Sequence, residues 1–259
     1  MKALVFDEKT RMTRLQMDAM IYMHNKSEKE HNTGKNAVQQ RIKKLGYSIE
    51  DLNNLQFYIE NYAPIIIHCH VSKHMQFFIK DTHYRSQFET NKSSGSLSRS
   101  SRISWEDRMF DKKYSKATDF ERVKYGVINF TNDPKGVNCC SGYGASYMLL
   151  KEHVRERCTF TDQDSSSTNA SIATFKYCFK ILSKMNDAEL KAAFDASKAK
   201  EISSGCTATY KEIQIHGPIE FSKDVQCIYV NRKELQTDKK LLDMVYKFSK
   251  DNGIDHDFF

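Results

Sequence analysis

The sequence predicts an α+β fold whose sheet is built from antiparallel strands. Helical and strand patterns mix without the regular β-α-β order that produces a parallel sheet. Neither GxGxxG nor GxxxxGK followed by Ser or Thr occurs, so neither a Rossmann domain nor a P-loop is indicated. The stretch YKEIQIHGPIEF, residues 210–221, alternates polar and apolar side chains as a strand does when one of its faces lies on a core.

Composition indicates a globular protein. The chain has 259 residues, 39% of them hydrophobic, and 40 Lys and Arg against 33 Asp and Glu give a net charge of +7. This excess suits an anionic cofactor or an acidic partner, and no basic, aromatic-rich block indicates nucleic acid. Seven irregularly spaced cysteines without a CxxC pair indicate reduced thiols. Apolar runs are too short for a cleaved leader or a membrane span, so we expect a soluble protein. We also expect it to be a monomer.

The first 63 residues are predicted to form a helical amino-terminal subdomain. Residues 10–62 contain two helical patterns, and the second begins with Ser48 followed three residues later by Asp51, which is typical of a capped helix. The polar stretch SEKEHNTGKN, residues 27–36, is predicted to connect the two helices. Pro64 ends the helical pattern, so we expect a second domain over residues 64–259.

The second domain is predicted to mix strands, helices and long loops. IIIHCHV (65–71) reads as a buried strand, and residues 91–104 and 157–171 have the composition of loops. The remaining predicted elements are a short helix at 73–81, strands at 125–130 and 145–150, helices at 174–185 and 187–201, and a final pair of strands at 210–221 and 224–230.

The strand at residues 210–221 carries the first candidate site. Glu212, Gln214 and His216 share one face because strand side chains alternate with a period of two. That face suits chemistry, but the same pattern also fits a half-buried edge strand whose polar side meets water.

His68 and His70 form a second candidate site because they share one face of the predicted strand at 65–71. Two such histidines can bind a metal or hold a ligand, but no HExxH motif accompanies them. The alternative is a histidine that is buried and hydrogen-bonded in the core.

Two further stretches could contact a ligand. Arg85 precedes the Ser-rich loop and could bind phosphate, although a solvated helix end has the same composition. Tyr125 beside Gly126 leaves room for a flat ligand to stack, but it could equally be a core aromatic next to a turn glycine. No GxSxG motif or Ser-His-Asp order indicates an acyl hydrolase.

Taken together, these stretches resemble a bacterial family similar to mono-ADP-ribosyltransferases, including type III effectors that modify a threonine of ubiquitin. The resemblance spans about residues 64–230 and is carried, in order, by HCH, YRSQFET, KYGVINF, GYGASYMLLKEHVRERCTFTDQDS and YKEIQIHGPI. The sequence departs from the family pattern because it has no Ser-Thr-Ser triplet and no Glu-x-Glu pair.

The resemblance implies a split antiparallel β-sandwich and NAD as co-substrate. It implies that Glu212 is the catalytic carboxylate, with Glu220 as the second candidate, and that His68 or His70 contacts NAD from the first strand. Arg85 would lie near the pyrophosphate. The other residues expected to contact NAD are Tyr84, Gln87, Tyr125, Gly126 and Gln214.

The function implied is transfer of ADP-ribose to a host protein, with a threonine of ubiquitin as one candidate acceptor. The protein would be a secreted bacterial effector that acts in the host cytoplasm without a cleaved signal peptide. Two alternatives stay open: a metal-dependent hydrolase built on His68 and His70, and a non-catalytic module that binds a protein partner through its basic surface.

Overall fold

A mostly antiparallel sheet of eight strands forms the centre of the described structure. The computed structural model describes residue 7, residues 10–92, residue 95 and residues 98–199, 210–236 and 239–259. The strands are β1 (Ile65–Cys69), β2 (Lys124–Ile128), β3 (Ser146–Leu150), β4 (Cys158–Thr161), β5 (Ile172–Thr174), β6 (Glu212–Ile215), β7 (Val225–Val230) and β8 (Asp255–Phe258). The helices are α1 (Arg14–Leu45), α2 (Ile49–Asn61), α3 (Val71–Phe78), α4 (Gln87–Thr90), α5 (Arg99–Met109), α6 (Phe179–Lys184), α7 (Asp187–Ala199), α8 (Phe221–Asp224), α9 (Arg232–Leu235) and α10 (Lys239–Asn252).

The order of the strands confirms the α+β class. The sheet runs β5-β4-β6-β2-β1-β3-β7-β8, and every neighbouring pair is antiparallel except β7 and β8. The predicted pairing of the last two strands is wrong, because β2, β1 and β3 lie between β6 and β7. The edge-strand interpretation of β6 is also wrong, since β6 pairs with β2 on one side and β4 on the other and is buried along its length.

The sheet opens between β1 and β2. These strands pair only at Ile65 with Ile128 and at Ile66 with Val127. Beyond that point β1 continues along β3 as far as Cys69, while β2 continues along β6 as far as Lys124. The two central strands therefore separate, and the gap between them lies next to the second half of β1 and the first half of β2.

Helix α1 is a single long helix, so the predicted connection at residues 27–36 is wrong. Within that stretch Ser27 and Gly34 face the protein interior, and the polar residues around them are more exposed. A Cβ at position 34 would lie 2.6 Å from the backbone carbon of Phe179, so the glycine lets α1 approach α6 closely. The loop-like composition of this stretch arises because its polar residues lie on the exposed side of a helix whose buried side carries small residues.

The amino-terminal helices share one hydrophobic core with the sheet. Val38 of α1 and Leu55 of α2 belong to the same buried cluster as Ile65, Ile213 and Phe179. The predicted cap of α2 is present, since the Ser48 hydroxyl accepts from the Asp51 backbone N–H and the Asp51 carboxylate accepts from the Ser48 N–H. The boundary predicted at residue 63 coincides with the change from helix to strand.

Two segments predicted as loops contain regular structure. Residues 91–104 include the start of α5, where the Ser98 side chain accepts from the Ser101 backbone N–H, while residues 93, 94, 96 and 97 lie outside the described residues. Residues 157–171 include β4, which pairs with β5 and β6. Because serine-rich segments flank both elements, the sequence did not indicate them.

Within the described part of the chain, none of the helices has the length and apolar character that crossing a membrane requires.

Candidate functional site

A large cavity lies where β1 and β2 separate. Its volume is about 1150 Å³, and residues from both strands, from β6 and from the α3–α5 region line it. The predicted site residues on its wall are His68, His70, Tyr84, Arg85, Gln87, Tyr125, Gly126 and Glu212. Gln214 and Glu220 lie outside the described residues that line it. The structure thus brings together residues that are up to 144 positions apart in the sequence.

Glu212 is the buried carboxylate of this cavity, with 9% of its surface exposed. Its carboxylate accepts from the Gln214 side-chain amide at 3.1 Å and from the hydroxyl and backbone N–H of Ser165. Burial raises the pKa of Glu212 to about 7, and the nearby Asp164 carboxylate acts in the same direction. Glu212 is therefore held in a fixed orientation by three donors while it faces the cavity.

The polar face of β6 continues behind Glu212 as a chain of hydrogen bonds. The Thr159 hydroxyl donates to the Gln214 Oε1 at 3.0 Å, which directs the Gln214 amide nitrogen towards Glu212. The His216 Nε2 lies 3.4 Å from the same hydroxyl and the Tyr114 hydroxyl lies 2.6 Å from the His216 Nδ1. Because the proton of Thr159 is already donated, His216 donates from Nε2 and accepts from Tyr114 at Nδ1.

This chain explains why the strand carries Glu, Gln and His on one face. Burial lowers the pKa of His216 to about 3, so the imidazole is neutral and serves as a structural link. Gln214 is fully buried and orients Glu212, which differs from the contact with NAD that the sequence predicted for it.

His68 occupies the cavity wall, but both of its ring nitrogens are already hydrogen-bonded. Its Nδ1 lies 2.8 Å from the Gly144 carbonyl oxygen, which can only accept, and its Nε2 accepts from the Val137 backbone N–H at 3.1 Å. A Cβ on Gly136 would lie 2.9 Å from the His68 ring. His68 therefore anchors the turn at residues 131–144, whereas His70, the other predicted histidine, is the residue directly before α3.

The metal interpretation of these histidines gains no support. A metal ligand needs a free nitrogen lone pair, and the only bare nitrogen of neutral His68 accepts from Val137. Among the described residues, no group of three His, Cys, Asp or Glu side chains could hold a metal ion.

Among the described residues that line the cavity, cationic side chains outnumber carboxylates. The cations are Lys73, Lys80, Arg85, Lys92, Arg102 and Lys124, and the carboxylates are Asp81, Asp164 and Glu212. Arg85 donates to both oxygens of Asp81, at 2.8 and 2.9 Å, and to Glu89 at 3.2 Å. Two carboxylates therefore balance its charge, although two of its five N–H donors remain for a ligand. The pyrophosphate role of Arg85 stays a prediction.

Lys124 is a buried cation on the cavity wall that no sequence motif indicated. Its side chain has 1% exposure, and its ammonium donates to the Phe120 carbonyl and lies 4.0 Å from Glu89. Burial lowers the pKa of Lys124 to about 8. Lys124 lies directly before Tyr125 and Gly126. A lysine at the start of an otherwise buried strand is the sequence feature that could have indicated it.

Different structural features place Tyr125 and Gly126 in the cavity wall. The Tyr125 hydroxyl is buried and has no hydrogen-bond partner among the described residues, so the part of this residue that the cavity reaches is not the hydroxyl. A Cβ on Gly126 would lie 2.7 Å from the Ile66 carbonyl oxygen, so the glycine is required where β1 and β2 meet. Gly126 therefore lies inside β2 rather than in a turn, and stacking of a flat ligand on Tyr125 stays a prediction.

Glu220, the second candidate carboxylate, is held elsewhere by ion pairs. Its carboxylate lies 2.9 Å from the Arg11 guanidinium and 2.7 Å from the Lys223 ammonium. Its backbone forms an isolated bridge with His83, which lines the cavity, but the side chain is outside the described lining. Asp164 and Ser165 also line the cavity, and no sequence motif indicated them because they lie in a serine-rich loop.

The family described as "Protein of unknown function (DUF3626)" matches residues 62–195, just over half of the chain. The chain belongs to this DUF3626 family. The matched DUF3626 region begins beside β1, includes His68, Tyr125 and Asp164, and ends before β6 and Glu212. No curated protein matches the chain.

Replacing Glu212 with glutamine should make stability less sensitive to pH. Between pH 4.5 and about 7 the unfolded chain has released the Glu212 proton while the folded chain still holds it, so the free energy of unfolding falls as pH rises. Glutamine removes this contribution. From pH 5 to pH 8 the stability of Glu212→Gln relative to wild type should rise by roughly 2 to 3 kcal/mol, which is most of the effect of moving a pKa from 4.5 to about 7.

Denaturant unfolding at both pH values measures this difference. Burial also raises the pKa of Glu106 in α5 to about 7, but its contribution cancels because both proteins contain it. Glu220→Gln is the matched control. Burial acts to raise the pKa of Glu220, but Lys223 and Arg11 outweigh it and the pKa is lowered, so the pH dependence that this carboxylate contributes lies below pH 4.5 and the variant should show almost no change relative to wild type between pH 5 and pH 8. A pH-independent difference for Glu212→Gln would contradict the raised pKa.

Proposed function

We propose that this protein is an NAD-dependent mono-ADP-ribosyltransferase that modifies a protein. The observation that carries the proposal is the joint position of three strands on one cavity: β1 contributes His68, β2 contributes Tyr125 and β6 contributes Glu212 at its first residue. These are the strand positions on which the sequence resemblance depends, and long-range folding brings them to one wall.

The cavity has the properties that a dinucleotide requires. A volume of about 1150 Å³ exceeds that of most small-ligand sites, the excess of cations suits a pyrophosphate, and aromatic side chains offer faces for flat rings. Its aromatic residues include Phe77, Tyr84, Phe88, Trp105, Tyr125 and Tyr143. The donor set therefore fits NAD as a co-substrate.

NAD would supply an ADP-ribosyl group whose bond to nicotinamide breaks through an oxocarbenium-like transition state. The ionised Glu212 carboxylate stabilises positive charge that develops next to it and accepts a hydrogen bond from a ribose hydroxyl. Gln214 and Ser165 hold that carboxylate in place beforehand, so little reorganisation is needed during the reaction.

The finer features of the fold and target belong to the same proposal. The separation of β1 and β2 supports a split antiparallel β-sandwich of the ADP-ribosyltransferase type. We further propose that the protein is a secreted bacterial effector and that its acceptor is a host protein, with a threonine of ubiquitin as the first candidate to examine. No specific observation supports the two alternatives, a metal-dependent hydrolase and a non-catalytic binding module.

Incubation with labelled NAD and a eukaryotic lysate tests the proposal. We expect release of nicotinamide and label on one or a few protein bands, and purified ubiquitin added separately tests the named acceptor. Absence of both nicotinamide release and protein label would contradict a transferase.

NAD should also raise the melting temperature without added metal. A ligand that binds only the folded state stabilises it by mass action, by about 2.7 kcal/mol at a concentration 100 times its dissociation constant. Thermal melts with millimolar-scale NAD, with and without a chelator, measure this effect. ADP, which lacks nicotinamide, serves as a control for binding to the cationic part of the cavity. A shift in melting temperature that the chelator removes would instead support the metal-dependent alternative.

A further inference from the structure

The cavity holds a second fixed carboxylate, which lies in the loop after β4. Asp164 lines the same cavity as Glu212. Its Oδ2 accepts from the Tyr210 hydroxyl at 2.6 Å, and its Oδ1 accepts from the Ser166 backbone N–H at 2.7 Å. The Ser166 side chain is a third donor, so these groups fill at most three of the four acceptor positions of the carboxylate and at least one remains for a ligand. The Asp164 carboxylate is therefore oriented without being saturated.

The residue next to Asp164 fixes its position relative to Glu212. The hydroxyl and backbone N–H of Ser165 both donate to the Glu212 carboxylate. The Ser165 carbonyl in turn accepts from the Arg108 guanidinium, which also donates to the Ser167 carbonyl at 3.1 Å. The loop is thus tied to α5 on one side and to Glu212 on the other, so the two carboxylates are held in a fixed relation.

The two carboxylates have different environments. Burial raises the pKa of Glu212 to about 7. For Asp164 burial acts in the same direction, but hydrogen bonds from Ser166 and Tyr210 outweigh it and the pKa is lowered. Neighbouring carboxylates whose environments separate their pKa values are typical of sites in which each has its own task.

We propose that Asp164 binds the acceptor side chain of the protein substrate and takes its proton, while Glu212 faces the ribose. This inference rests on the proposed transferase function. In the step, the acceptor oxygen or nitrogen forms a bond to the ribose C1′, the bond from C1′ to nicotinamide breaks with its electron pair leaving on nicotinamide, and the acceptor proton passes to Asp164. Tyr143, whose hydroxyl lies 3.3 Å from that of Tyr210, extends the polar surface on which the acceptor lies.

The test compares two reactions of the full chain. One is the release of nicotinamide from NAD alone, in which water is the acceptor and bulk solvent can take the proton. The other is the transfer of label from NAD to proteins of a eukaryotic lysate. Asp164→Asn should lower the ratio of transfer to nicotinamide release at least about tenfold, because losing a general base costs about a hundredfold or more in the step it serves.

Asp162→Asn is the matched control. It makes the same change of charge two residues earlier in the loop, at a carboxylate that accepts from the Ser171 backbone N–H at 2.7 Å and is outside the described lining. The ratio should be the same as in wild type. Tyr210→Phe keeps the Asp164 carboxylate and removes only one of its hydrogen bonds, so it should lower the ratio by a smaller factor, and it replaces Asp164→Asn if that variant does not fold.

The outcomes separate this inference from the proposed function. A wild-type protein that releases no nicotinamide overturns the transferase function, and the inference with it. Active wild type with an unchanged ratio in Asp164→Asn and Tyr210→Phe overturns the role of Asp164 alone. Nicotinamide release without any labelled protein also overturns that role, because no protein acceptor is then modified.

Discussion

Glu212→Gln should lower both nicotinamide release and protein modification by roughly a hundredfold or more, the scale expected when one preorganised electrostatic contact is lost from a transition state. Glutamine keeps the size of the side chain and can still bond to Ser165 and Gln214 after rotation of its amide, but it carries no charge. NAD binding, measured by calorimetry, should change little, because the contact matters most in the transition state. In wild type the rate should rise with pH up to about 7, as Glu212 ionises.

Glu220→Gln is the internal control for this prediction. The Glu220 carboxylate pairs with Arg11 and Lys223 outside the described lining, so its neutralisation should reduce stability slightly and leave the rate per folded molecule unchanged. Full activity in Glu212→Gln together with loss in Glu220→Gln would assign the catalytic carboxylate to Glu220. If neither substitution affects the rate, the transferase proposal fails.

The sequence predicts the shared face of β6 correctly because alternation in a strand is a local property. The sequence could not predict which residues that face contacts. Thr159 and Tyr114 complete the chain of hydrogen bonds behind Glu212. Thr159 lies 55 residues from Gln214 of β6, and Tyr114 lies 102 residues from His216, the residue directly after β6. Only the order of strands in the sheet reveals that Gln214 orients Glu212 and that His216 is a neutral link.

The same distinction explains the errors in the fold. The cap of α2 and the strand β1 follow from local sequence signals, and both are present. The polar stretch in α1 was assigned to a loop because its buried side consists of small residues, Ser27 and Gly34, whose burial depends on contact with α6. Likewise, β4 follows from pairing with β5 and β6, which no local pattern near a serine-rich loop indicates.

The turn around His68 gives the largest expected effect on stability. Gly144 has a φ of 143°, a value that residues with a side chain rarely adopt. A Cβ at this position would lie 2.0 Å from the backbone carbon of Cys69 and 2.1 Å from its carbonyl oxygen, so rotation of a side chain cannot relieve the contact. The Gly144 carbonyl also accepts the hydrogen bond from the His68 Nδ1.

Gly144→Ala should therefore lower the free energy of unfolding by at least about 3 kcal/mol, because it adds backbone strain, a clash within the sheet and the loss of a buried hydrogen bond. Denaturant unfolding measures the change. Gly142→Ala, in the same turn, is the matched control, because a Cβ there meets nothing within 4 Å and should cost little. Equal stability of the two variants would contradict the close approach of Gly144 to Cys69.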